Sequence, residues 1–177
     1  WYPAEGSTNL IGFFDSDFAG NMIDRKSTYG TCQFLGSSLI SWFSKKQSSI
    51  ALSTAEAEYI AAGSCCTQIL WLKAQLRDFG ICLSTTPLLC DNTSAINMTK
   101  NAVYHSRTKH IDIRHHFIRD LVASKEIELT FIANESQLAD IFTKPLPIDR
   151  FLFLRKSLGI ISLADVVTIE DPEINII

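Results

Sequence analysis

No apolar run in these 177 residues reaches the roughly 18–20 needed to cross a bilayer, which excludes a helical membrane protein. No secretory signal opens the chain, and its first residue is not Met, a pattern expected of a fragment of something longer. Cysteine is scarce and odd in number: Cys32, Cys65, Cys66, Cys82 and Cys90, with no CxxC pair. That usage argues against a disulfide framework or a zinc site and for reduced thiols in an intracellular setting. Neither sign of charge dominates. The net charge is -3, but residues 161–177 hold four acids and no Lys or Arg. Without that stretch the balance is +1 (16 basic minus 15 acidic residues), so charge alone excludes little about partners. What the chain does have is 46% hydrophobic residues, enough for the core of one ordinary domain. We expect a lead-in over residues 1–9, a folded domain over 10–160 and an acidic tail over 161–177.

Hydrophobic periodicity divides the domain. Residues 10–18, 28–37 and 39–47 read as three strands of an antiparallel meander, split by turn residues around Gly20 and Gly36. A long helix follows from about Ser53 to Phe79. Ser53-Thr54-Ala55-Glu56 is a capping box, and Gly80 is the stop signal. A short apolar strand covers 87–91, a helix starts at Thr93 or Ser94, and another helix covers 110–124. Residues 127–133 alternate like a strand. A helix is then expected from Glu135 or Ser136 through Phe142, ended by Pro145, and a last amphipathic helix over 148–159. Strands first in a meander and then alternating with helices imply an α/β fold with a mixed sheet.

The informative residues are acids in apolar company. Asp15 and Asp17 lie in the first strand, Asp91 ends a later one, and Asp140 sits beside Ile141 in an apolar helical pattern. A desolvated, unpaired carboxylate costs several kcal/mol, so each such acid is either paired or holds a cation. Several on separate elements favour converging metal ligands over isolated structural pairs. Asp15 is preferred as the central ligand, with Asp17 as the alternative. On the long helix Glu56 has a capping duty, which leaves Glu58 to face the sheet.

The order of these acids is similar to the four-carboxylate pattern of ribonuclease H, and the surrounding words resemble its copia-type retrotransposon version. These include Phe14-Asp15-Ser16-Asp17-Phe18-Ala19-Gly20, Ser53-Thr54-Ala55-Glu56-Ala57-Glu58-Tyr59 and Cys90-Asp91-Asn92. Ser44-Lys45-Lys46-Gln47, His105-Ser106-Arg107-Thr108-Lys109-His110 and Leu138-Ala139-Asp140-Ile141-Phe142-Thr143-Lys144-Pro145-Leu146 also match. The resemblance implies a ribonuclease H-like fold, a five-stranded mixed sheet flanked by helices. It implies an endonuclease that cuts the RNA strand of RNA/DNA hybrids during reverse transcription, leaving 5′-phosphate and 3′-hydroxyl ends. Asp15, Glu58, Asp91 and Asp140 would be catalytic and would bind two Mg²⁺ ions, for which Mn²⁺ can substitute. The implied partners are the hybrid and a reverse transcriptase domain of the same polyprotein, with no membrane. The implied location is intracellular, in a cytoplasmic virus-like particle with some nuclear presence. Two departures stand out. Thr130 occupies the position where many members carry a His about ten residues before the last Asp, and there is no room for an extra basic helix.

Substrate grip is expected from the basic stretch 105–125, with Arg107 and Lys109 preferred because they read as loop residues. Lys45 and Lys46 are weaker candidates for phosphate contact. Asn92, beside Asp91, is a candidate for reading the RNA minor groove, where the 2′-hydroxyl marks RNA. The four histidines, His105, His110, His115 and His116, have no convincing metal spacing. The competing readings are a catalytically degenerate module that binds hybrid beside a reverse transcriptase, and another nuclease of the same superfold.

Overall fold

The computed structural model describes residues 6–100 and 109–162, with the side chains of 109–115 excepted. Five strands form one mixed sheet in the order β3-β2-β1-β4-β5. They are β1 (Leu10–Ser16), β2 (Thr28–Leu35), β3 (Ser38–Lys46), β4 (Thr86–Cys90) and β5 (Ile127–Phe131). β1, β2 and β3 pair antiparallel, while β4 runs parallel to both β1 and β5. β3 and β5 are therefore the outer strands. Four α-helices accompany the sheet: α1 (Thr54–Asp78), α2 (Thr93–Lys100), α3 (Lys109–Ala123) and α4 (Ile148–Ser157). No helix of the described residues is long and apolar enough to cross a membrane.

α1 begins as its sequence predicts. The Ser53 hydroxyl accepts from Glu56 N at 3.1 Å, and the Glu56 side chain reaches back to accept from Leu52 N at 3.0 Å. Its end is a Schellman motif. Gly80, at φ +78°, donates to Arg77 O, and Ile81 N donates to Leu76 O. Phe79, the expected last residue of the helix, is its cap and is 81% exposed where the chain leaves the helix.

Two apolar clusters flank the sheet. One joins Phe14, Leu88 and Ile127 of the strands to Tyr59, Cys65 and Ile69 of α1 and Ile118 of α3. The other joins Cys32, Phe34 and Leu39 to Ala139 and Leu158, with Phe13 packed against it. Adjacent Phe13 and Phe14 go to different clusters, as strand alternation requires.

The largest departure from expectation is the segment after β5. Instead of one helix there are two 3₁₀ turns, Asn134–Ser136 and Leu138–Phe142. Gln137 between them is extended (φ -73°, ψ 101°) and fully buried. Its amide donates to Phe14 O of β1 at 2.9 Å, and its side-chain oxygen accepts from Ala139 N at 3.2 Å. Those bonds pull the chain out of a continuous helix and pin it to the sheet. Gly30 permits the approach: a Cβ there would lie 2.6 Å from Phe142 Cβ and 2.9 Å from Ala139 O. The observed strands also stop short of some predicted ends, so Asp17 falls just past β1.

Candidate active site

Parallel pairing of β1 and β4 sets Gly12 against Leu88 and Phe13 against Leu89, so their carboxyl ends open on the same side. Asp15 lies near the end of β1, and Asp91 follows β4 directly. α1 brings Glu58 over this edge, and the second 3₁₀ turn brings Asp140. Asp15, Glu58 and Asp140 are only 4–5% exposed, while Asp91 is half-buried. The four acids come from residues 15 to 140, yet each acts electrostatically on at least one of the others.

Polar neighbours fix the carboxylates. Thr143 Oγ1 donates to Asp15 Oδ2 at 2.8 Å and lies 3.0 Å from Asp140 O. Ser16 N donates to Glu58 Oε1 at 3.0 Å. Lys144 Nζ pairs with Asp140 Oδ1 at 2.7 Å, and Arg150 Nη2 lies 3.7 Å from Asp140 Oδ2. The second Glu58 oxygen, Oε2, is buried and receives no hydrogen bond. Burial, above all, raises the pKa of Asp15, Glu58 and Asp91; the charge of Asp15 adds to the rise at both Glu58 and Asp91. Lys144 is held protonated, chiefly by its bond to Asp140.

Asp15, Asp17, Glu58, Asp91, Asn92, Asn134 and Lys144 are among the residues lining one open cleft of about 570 Å³. Three features fit this wall to a divalent cation: carboxylate donors from separate elements, a buried oxygen without a donor, and acids whose mutual repulsion a cation would relieve.

The other sequence candidates fall as follows. Asp17 is in the cleft, but its carboxylate accepts from Thr28 N, which ties the loop after β1. Asn92 is in the cleft too, and its side-chain oxygen caps α2 by accepting from Ala95 N at 3.1 Å. Lys45 and Lys46 line a different groove, about 300 Å³, with Tyr29, Gln47 and α1 residues. Lys46 Nζ also pairs with Asp24 at 2.6 Å. Arg107 lies outside the described residues. Lys109, expected in a loop, is the first residue of α3, and its side chain lies outside the described ones.

Sequence reasoning missed Thr143, Lys144 and Cys90. The first two stand in the same stretch as Asp140, and a polar pair between Phe142 and Pro145 was the available signal. For Cys90 the sequence suggests only a reduced thiol within the word Cys90-Asp91-Asn92. Its Sγ, a Glu58 carboxylate oxygen and an Asp91 carboxylate oxygen lie within 4.8 Å of one another. Burial, with the nearby Glu58 charge, pushes its thiol well up, so it stays protonated in the bare site.

The chain is 40% identical over 150 residues to the Retrovirus-related Pol polyprotein from transposon TNT 1-94 of Nicotiana tabacum, a match covering 85% of the chain. It is 38% identical to the corresponding polyprotein from transposon RE2 of Arabidopsis thaliana, over 90% of the chain. In both, it spans only 11% of the relative. Among solved structures, the N-terminal RNase H domain of a Mycobacterium tuberculosis protein matches with a TM-score of 0.57 at 13% identity, covering 85% of this chain and 99% of that one. The chain is a ribonuclease H-fold domain of a retrotransposon Pol polyprotein. LC11-RNase H1, isolated from compost, matches this domain with a TM-score of 0.58 at 15% identity, over 77% of this chain and 93% of that one. The structure of LC11-RNase H1 with an RNA/DNA hybrid matches it with a TM-score of 0.53 at 14% identity, over 76% and 94%. No protein-family model matches the sequence.

Proposed function

We propose that this domain hydrolyses the RNA strand of RNA/DNA hybrids, with Asp15, Glu58, Asp91 and Asp140 holding two Mg²⁺ ions (or Mn²⁺) and acting as its catalytic carboxylates. The observation that carries this reading is the convergence of Asp15, Glu58 and Asp91 on one cleft, with Glu58 Oε2 buried and undonated and with Asp140, paired to Lys144, close enough for its charge to act on Asp15 and Asp91. Bound divalent ions supply Lewis-acid stabilisation and a nucleophilic water at neutral pH. The chain supplies the rest. Asp15 is aimed by Thr143 and Glu58 by Ser16 N, so neither carboxylate needs to reorganise to receive a cation. Lys144 neutralises part of the charge around Asp140 and stands at the rim, 45% exposed, where a substrate phosphate arrives. The natural partners in this reading are the hybrid and the reverse transcriptase of the same polyprotein, acting within the cell during reverse transcription.

The test is cleavage of a labelled RNA/DNA hybrid by the parent and by Asp91→Asn, with Mg²⁺ present and absent. We expect Mg²⁺-dependent cleavage by the parent, and background cleavage with near-normal hybrid binding by the variant. A variant that cuts as fast as the parent sinks the site assignment. A parent that binds hybrid but never cuts would identify a hybrid-binding module in its place.

A further inference from the structure

We propose that the cleft also contains a mixed thiolate–carboxylate site, formed by Cys90, Glu58 and Asp91, that takes a thiophilic divalent ion such as Zn²⁺ or Cd²⁺ in place of the hard ions. This rests on the reading of Glu58 and Asp91 as cation ligands. It adds a third donor of different chemistry, and with it a means by which soft metals stop the nuclease.

The geometry starts from the end of β4. Cys90 is its last residue, and the chain bends at Asp91, so two consecutive side chains that a strand would send to opposite faces reach the same place. Their donor atoms and one from Glu58 lie within 4.8 Å of one another. Ligands of a tetrahedral zinc stand roughly 3.5 Å apart, given metal–ligand bonds of about 2.0–2.3 Å. Small side-chain rotations about a central ion close the difference. An independent observation points to a ligand here. Glu58 is 4% exposed, and its Oε2 has no donor. The fully buried Cys90 Sγ accepts from Asn92 N at 3.3 Å and, as a thiol, donates to Asn92 O at 3.6 Å; ion binding breaks the second bond and keeps the first.

Metal preference follows from donor softness. Mg²⁺ takes oxygen ligands and keeps its waters, so a neutral thiol offers it nothing. Zn²⁺ and Cd²⁺ bind thiolate strongly. On binding, the Sγ–H bond breaks, the proton leaves to water and a sulfur–metal bond forms, with no change of oxidation state. An ion so placed occupies two of the four acids and displaces the hard pair.

The test is a Cd²⁺ titration of the whole chain in a Cys82→Ser background, which removes the one exposed thiol. Sulfur-to-cadmium charge-transfer absorption is read in the ultraviolet. We expect the band to saturate at one ion per chain and to vanish in Cys90→Ser and in Cys90→Ala, each checked for folding by circular dichroism. The ratio of Zn²⁺ to Mn²⁺ affinity, measured by competition, should fall about tenfold or more in the same variants, since even loss of a group that only supports a ligand costs about that much. No band in the background protein, a band that persists without Cys90, or a smaller fall in the ratio overturns the proposal. Asp15→Asn, run alongside, separates the two readings. Loss of Mn²⁺ binding there with no effect of Cys90 removes the thiol site alone, whereas unchanged Mn²⁺ binding removes the carboxylate reading beneath it.

Discussion

Glu58 carries the sharpest conflict between folding and function. Its carboxylate is buried beside Asp15, with one oxygen undonated, and burial raises its pKa well above the usual range. A carboxyl group whose folded-state pKa is raised favours the fold fully at pH below its unfolded value. That contribution is lost as pH rises through the folded value. The metal-free domain should therefore lose stability as pH climbs from the acid range to neutrality. Glu58→Gln removes the charge and should raise the metal-free midpoint at pH 7 by about 1–2 kcal/mol, roughly 2–8 °C for a domain of this size. The gain should shrink as pH falls, and Mn²⁺ should stabilise the parent but not the variant. Thermal melts at several pH values check this; a variant less stable than the metal-free parent throughout would mean that the hydrogen bond between Glu58 and Asp15 outweighs the cost of burying the charge. The acids were legible in the sequence because a carboxylate inside an apolar pattern is conspicuous. Thr143 was not, because its significance is a bond to Asp15, 128 positions earlier.

At the scale of elements, local signals read well where local forces decide. Ser53, Glu56 and Gly80 bracket α1 because capping is chemistry among residues a few positions apart. Gly80→Ala has free space for its methyl group but must adopt φ +78°, so it should cost about 1 kcal/mol and lower the midpoint by roughly 2–4 °C. Chemical denaturation measures it, and a neutral result would show that the helix end relaxes to another cap. The stretch 134–142 departs from its expected helix for the opposite reason. Its apolar spacing suits a helix, but the buried Gln137 amide is committed to a carbonyl of β1, a tertiary demand that periodicity does not encode. That commitment is useful, because it sets Asp140 against the strand that bears Asp15.

For the whole molecule, the order of most elements along the chain was readable because each shows its own period, and the meander and helix-linked strands implied a mixed sheet; the sheet order β3-β2-β1-β4-β5 is visible only in the structure, because periodicity does not say which strands lie side by side. The union of Cys90 with Glu58 was not readable, since nothing in β4 alone says which helix lies over it. The same sheet order leaves β3 at the rim, where half its peptide groups face outward with no neighbouring strand among the described residues. Such a row is a template on which another chain can extend the sheet. Exposed Lys45 and Lys46 and the bulge opposite Gln33/Phe34 disfavour that addition by charge repulsion and by bending the edge. Lys45→Thr with Lys46→Thr should leave the domain folded yet increase its self-association at high concentration relative to the parent, with light scattering as the measure. If the doubly substituted chain scatters no more than the parent, the bulge alone guards the edge against polymer growth.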